Sequence, residues 1–225
     1  MNLVTKLLSC LRGRQTPSLA EPPLSESEYY ERLFVRNPDW SSPSPNVDER
    51  SRWDCIQTFV DKYLDPKSGA RILDAGCGRG WLTNLLSHYG DALGVEPVAP
   101  VVEHARKLFP ELRFEVGTPA ELQLDGVFEL IVSSEVLEHV LDKPVFVAHL
   151  HRLSKPRGLL IVTTPRAELY AQWTQKNGIP SQPIEQWIST DDLTALLKRN
   201  GYQVLESATA FDIGIYQIHA CRRVS

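Results

Sequence analysis

Apolar residues along this chain change their period several times, and each change marks an element. Trp53, Ile56, Val60 and Leu64 recur at helical spacing. Asn46 followed by Glu49 predicts a capping box opening that helix, which runs to about Leu64. Short strands and helices then alternate. Arg71–Asp74 reads as a strand, Arg79–His88 as a helix and Ala92–Glu96 as a strand. Val98–Phe109 reads as a helix with Val98, Val101, Val102, Ala105 and Leu108 on one face. Leu112–Val116, Phe128–Ser133 and Gly158–Thr163 are further strands, with a helix around Val145–Leu153 between the last two. This alternation predicts a parallel sheet with helices on both faces. Thr190–Arg199 is a last helix, stopped by Gly201. Tyr202–Ala210 and Ile215–Cys221 follow with no helix between them, which predicts an antiparallel hairpin at the sheet edge.

Composition narrows the class. The chain has 225 residues, 42% hydrophobic and 23% charged, enough for one α/β domain and a small appendage. Residues 46–225 form that domain, and residues 1–45 read as an arm and linker able to cap a substrate. Within them, 15–27 is rich in Pro and Ser, and 37–46 is irregular. A net charge of −4 and a pI near 5.9 argue against a broad nucleic-acid surface. Cys10, Cys55, Cys77 and Cys221 have no metal-like spacing and read as reduced thiols of a cytoplasmic protein. No stretch is long and apolar enough to span a bilayer. Met1–Arg14 carries Lys6, Arg12 and Arg14 among helically spaced apolar residues, so weak membrane-surface contact is open, with a frayed or packed helix the plainer expectation. The oligomeric state is left open.

The chemistry concentrates in Arg71-Ile-Leu-Asp-Ala-Gly-Cys-Gly-Arg-Gly80. A strand delivers the chain to a turn where Gly76, Gly78 and Gly80 remove side chains, so a ligand can lie against the backbone. Roughly 20 residues on, Glu96 ends the next strand, where an acid accepts ribose hydroxyls. These features suit any adenosine cofactor. Two details discriminate. Trp81 replaces the third glycine of the dinucleotide fingerprint, and Asp74 before the turn would repel a pyrophosphate but attract an ammonium.

With Asp74, Gly76, Gly78 and Gly80 as acid–x–Gly–x–Gly–x–Gly, the chain resembles the class I S-adenosylmethionine-dependent methyltransferases over residues 46–221. The resemblance implies a Rossmann-like fold and S-adenosyl-L-methionine as cofactor. It implies a donor site drawn from Asp74, Gly76, Cys77, Gly78, Gly80, Glu96, Pro97, Thr118, Pro119, Ala120, Ser134 and Glu135. Asp74 would lie near the methionine amino group and Glu96 on the ribose. The family usually carries Asp-Ala beside the adenine; here Gly117-Thr-Pro-Ala120 stands there.

Glu135-Val-Leu-Glu138-His139 follows the fourth strand, where the fold places its ligand crevice. His139 can take a proton from a hydroxyl, or Glu135, Glu138 and His139 can hold a divalent cation. The run resembles the ubiquinone-biosynthesis O-methyltransferases and the small-RNA 2′-O-methyltransferases. Both follow the fifth strand with Ser/Thr-Pro-Asn, but this chain reads Thr164-Pro165-Arg166. The RNA enzymes' further histidine has no counterpart, and Gln182 lies in its region. No metal is therefore assigned, and His139 is taken as the base.

Arg50 or Arg52 is expected to meet the methionine carboxylate or make a surface ion pair. Tyr29, Tyr30 and Trp40 can stack a planar acceptor or anchor the arm, with anchoring the plainer expectation. Tyr170, Trp173 and Trp187 flank a substrate lid, with Arg166 able to hold an anionic group. His88, His104, His149, His151 and His219 read as surface or helix-packing residues. The expected function is methyl transfer to a small-molecule acceptor and, as the resemblance implies, at oxygen. The competing readings are an RNA methyltransferase, a catalytically silent cofactor-binding scaffold and, last, a nicotinamide dehydrogenase.

Overall fold

In a computed structural model, residues 24–65, 69–179 and 182–224 are described. The Met1–Arg14 segment and Cys10 lie outside them. The element order is α1 (Glu26–Glu31), a π-helical turn (Arg32–Arg36), α2 (Val47–Tyr63), β1 (Ala70–Ala75), α3 (Trp81–Leu86), β2 (Gly90–Glu96), α4 (Ala99–Leu108) and β3 (Arg113–Val116). Then come β4 (Phe128–Ser134), a 3-10 turn (Leu137–His139), α5 (Lys143–Leu153), β5 (Ser154–Pro165), a second 3-10 turn (Ala167–Leu169), α6 (Tyr170–Asn177), α7 (Thr190–Arg199), β6 (Tyr202–Ala210) and β7 (Tyr216–Arg223).

The strands form one seven-stranded sheet in the order β3-β2-β1-β4-β5-β7-β6. β1 to β5 pair in parallel, and β7 pairs antiparallel with both β5 and β6. This is the Rossmann-like arrangement with its C-terminal hairpin. The order reverses between β1 and β4, so the loops leaving these neighbours diverge and open a crevice at their C-terminal ends.

Strand alternation divides the core between the two faces. Ile72, Leu130, Val132, Ile161 and Ile218 pack with Trp53, Ile56 and Val60 of α2 and with Trp81, Leu82 and Leu86 of α3. Leu73, Ile131, Leu160 and Val162 pack with Leu150 and Leu153 of α5 and Leu193, Leu196 and Leu197 of α7. Near-continuous apolar strands are what a sheet covered on both faces requires.

The Asn46–Glu49 capping box forms as expected. The helix expected over Arg79–His88 is shorter at both ends, because Gly80 caps α3 in the left-handed region at φ 86° and Arg79 belongs to the preceding turn. His219 corrects its sequence reading. It is neither superficial nor in a helix but buried in β7, bonded to Ser207 and Gln217. Burial holds its imidazole down at a pKa of about 4.

Candidate active site

A cavity of about 830 Å³ opens where β1, β2, β4 and β5 end. Its floor is the glycine turn. Gly76 and Gly78 take φ of 85° and 50°, which the left-handed region permits at little cost only for glycine. A Cβ on Gly76 would stand 2.3 Å from Val136, so this turn and the loop after β4 are packed face to face. Gly76 and Cys77 donate their N–H groups to the Val95 carbonyl, tying the turn to β2. The Cys77 thiol tucks beneath Gly94, so Cys77 offers backbone to this region. Gly80 stands apart: it is absent from the cavity wall and packs toward Phe114 and Ala105.

Two carboxylates flank the floor. Asp74 is the penultimate residue of β1, 1% exposed, and accepts a 2.6 Å hydrogen bond from Thr83 Oγ1. Glu96 ends β2 and accepts from the backbone N–H groups of Gly78 and Val98 at 3.2 and 3.1 Å. Burial raises both pKa values to about 7, against the lowering by those hydrogen bonds. Pro97, Thr118, Pro119, Ala120, Ser134 and Glu135 continue the wall. The Thr118 hydroxyl and N–H both bond Glu121, which closes the turn after β3.

Glu135 sits at φ 57°, a left-handed conformation uncommon for a side-chain-bearing residue, and accepts from Thr163 Oγ1 at 2.8 Å. Its other oxygen lies 4.0 Å from Arg52, which also pairs with Asp48 at 3.3 Å and covers the Tyr216 ring. Arg52 is therefore a buried cation on the cavity wall, with its Nε lacking a hydrogen bond among the described residues, whereas Arg50 is exposed.

Glu138 is buried and accepts from Thr164 Oγ1 at 2.9 Å. His139 donates through Nδ1 to the Ile184 carbonyl at 2.7 Å. A carbonyl can only accept, so this bond assigns the ring proton to Nδ1 and leaves Nε2 with a free lone pair. Burial lowers the His139 pKa below its ordinary value. Glu135, Glu138 and His139 share the cavity but turn to different partners. Among the described residues no group of three or more His, Cys, Asp and Glu side chains is placed to hold a metal ion.

The arm closes one side. Tyr30 meets the His139 ring edge-on at 5.9 Å and donates to Gln182, while Phe34 stacks on Tyr30 and packs over Gly78. Trp173 and Trp187, 5.6 Å apart, form the opposite wall. Tyr170 packs on Trp187, and Arg166 bonds Gly214 away from the cavity.

The sequence reading did not single out Arg79. Its side chain is fully buried, binds both oxygens of Glu49 at 2.6 and 2.7 Å, and donates to the Ser42 and Ser44 carbonyls. It thus joins glycine turn, arm and α2. Thr83 and Glu185 were likewise missed, since their partners are distant in sequence or unrelated to periodicity.

A family model described as a methyltransferase domain matches residues 49–207. The chain is 27% identical over 170 residues to a probable S-adenosylmethionine-dependent methyltransferase of Mycolicibacterium smegmatis, covering 74% of this chain and 65% of that protein. It is 35% identical over 158 residues to the mitochondrial ubiquinone biosynthesis O-methyltransferase of Bos taurus, covering 62% and 43%. The chain thus spans less than two thirds of either relative. Among solved structures, the 1,6-didemethyltoxoflavin-N1-methyltransferase of Burkholderia thailandensis with bound S-adenosylhomocysteine superposes with a TM-score of 0.67 at 17% identity, covering 91% of this chain and 93% of that one. The chain belongs to the methyltransferase-domain family. That family is one of enzymes, and the methyl donor of these relatives is S-adenosyl-L-methionine.

Proposed function

We propose that this protein transfers a methyl group from S-adenosyl-L-methionine to an oxygen of a small-molecule acceptor, with His139 as the base. One observation carries the reading: the acid-flanked glycine turn and a proton-accepting imidazole open onto the same cavity. The residues fit the donor. Asp74 suits its ammonium, Glu96 its ribose hydroxyls, Arg52 its carboxylate, and the side-chain-free Gly76 and Gly78 a close backbone approach. Cys77, Pro97, Thr118, Pro119, Ala120, Ser134 and Glu135 complete the wall around it.

When bound, the donor supplies a methyl group activated by its sulfonium. The chain then has to hold the acceptor in line, exclude water and remove the acceptor's proton. His139 Nε2 receives that proton, while the Ile184 carbonyl fixes the tautomer that leaves Nε2 free. A cavity of this volume takes a donor and a small acceptor. Nine carboxylate side chains around it against two arginines oppose the approach of a phosphate backbone. The free thiols Cys55, Cys77 and Cys221 favour a cytoplasmic setting. Residues 46–225 serve as the catalytic domain in this reading, with the arm as its cap.

Labelled-donor turnover and S-adenosylhomocysteine binding, measured together, test the base. His139→Ala should lower turnover by about 10²-fold or more and change the binding constant little. Comparable losses in both would remove His139 from the role.

A further inference from the structure

Resting on the methyltransferase reading of this cavity, we infer that its acceptor is a planar molecule carrying a protonated amine, seated between the aromatic side chains of arm and lid and the carboxylates of Glu138 and Glu185. This concerns recognition of the acceptor and adds no chemical step.

The cavity's charges are unevenly satisfied. Both arginines of the wall are taken before an acceptor arrives: Arg79 by Glu49 at 2.6 Å, and Arg52 by Asp48 at 3.3 Å and, in the proposed function, by the donor's carboxylate. Lys143 lies outside the wall and donates to the Val140 carbonyl. The carboxylates around His139 have surplus capacity. The Glu138 side chain is 2% exposed, and its Oε2 accepts from Thr164. Its Oε1 has His139 Nε2 at 3.7 Å, beyond hydrogen-bond length. Glu185 accepts at Oε1 from the Trp187 indole N–H. Its Oε2 is buried without a hydrogen-bond partner among the described residues, because His139 Nδ1, 3.7 Å away, donates to Ile184 instead.

A buried carboxylate oxygen without a donor, as at Glu185, is costly to leave so, and a ligand ammonium supplies both the charge and the N–H it lacks, with the Glu138 carboxylate beside it. The surrounding walls suit the same ligand. Tyr30, Trp173 and Trp187 offer aromatic surface, which holds a planar body and attracts a cation. An anionic acceptor would meet two carboxylates and, among the described residues of the cavity wall, no cation free of an acidic partner; the Lys143 ammonium lies outside that wall and is already held by the field of Glu138 and Glu185. The cavity therefore distinguishes ligands by sign of charge as well as by shape.

Three phenols of similar size separate these terms: tyramine with an ammonium, 4-ethylphenol with no charge and 4-hydroxyphenylacetate with a carboxylate. Binding to the full-length protein saturated with S-adenosylhomocysteine is followed by calorimetry and tryptophan fluorescence, and labelled methyl transfer is measured alongside. Tyramine should bind about tenfold more tightly than 4-ethylphenol, with 4-hydroxyphenylacetate weakest. Glu185→Gln and Glu138→Gln should each bring tyramine towards 4-ethylphenol and leave 4-ethylphenol unchanged. Glu185→Gln, at the less buried site, tests the point even where Glu138→Gln does not fold. Equal binding of the three phenols, or a preference for tyramine that survives Glu185→Gln, overturns the inference. Failure of S-adenosylhomocysteine itself to bind would instead overturn the methyltransferase reading, and the amine preference would still be measurable on the free protein.

Discussion

Single ionisable residues in this protein are governed mainly by burial. Asp74 and Glu96 have pKa values near 7 because low-dielectric surroundings disfavour their charged forms more than Thr83, Gly78 and Val98 support them. If Asp74 faces the donor's ammonium, only its ionised form attracts it. S-adenosylhomocysteine affinity should therefore rise between pH 6 and 8, and titration calorimetry on Asp74→Asn should show that rise reduced. His219 makes an opposite kind of prediction. Its folded pKa of about 4 lies below that of the unfolded chain, near 6.5, so the unfolded state binds the proton first as pH falls. The stability it confers is complete above pH 6.5 and is lost progressively towards pH 4, by up to about 3 kcal/mol. Urea unfolding of wild type and His219→Gln across this range should diverge in that direction; parallel profiles would refute it.

At the scale of elements, the turn between β1 and α3 joins the site to the scaffold. Its glycines were readable, since an acid followed by alternating glycines after an apolar strand requires backbone freedom. The role of Arg79 was not readable, because its counter-ion Glu49 is 30 residues away in another helix. Glu49 was legible only as the capping partner of Asn46, and the structure gives it both tasks. Arg79→Leu would leave Glu49 buried without its partner and should cost about 3–5 kcal/mol in equilibrium unfolding. Arg79→Lys should recover little of this, since an ammonium cannot reproduce the paired bonds to Glu49 and those to the Ser42 and Ser44 carbonyls. Full recovery by lysine would show that charge alone matters.

Across the whole molecule, the sheet brings to one edge groups that the sequence scatters from Asp74 to Pro165. Asp74, Glu96, Glu135 and Pro165 are neighbours because β1, β2, β4 and β5 are parallel and end together. The arm then covers this edge. Phe34 packs over Gly78 without belonging to any strand of the domain. Phe34→Ala should leave the circular dichroism spectrum unchanged and weaken S-adenosylhomocysteine binding by about tenfold, as expected for losing a buried aromatic contact. Unchanged affinity would mean that the arm lies on the turn without contributing to the donor site.

Periodicity and glycines were enough to determine the parallel sheet and its terminal hairpin, and the strand-end acids were enough to propose a donor site, because each signal lies in residues close in the chain. Tertiary structure alone decided the rest. The buried Arg79–Glu49 pair, the unpartnered Glu185 oxygen beside His139, and the closure of Tyr30 and Phe34 over the crevice join residues 30 to 152 positions apart. Their energies arise from excluding water between distant segments, and no local pattern in the chain records which segments will meet.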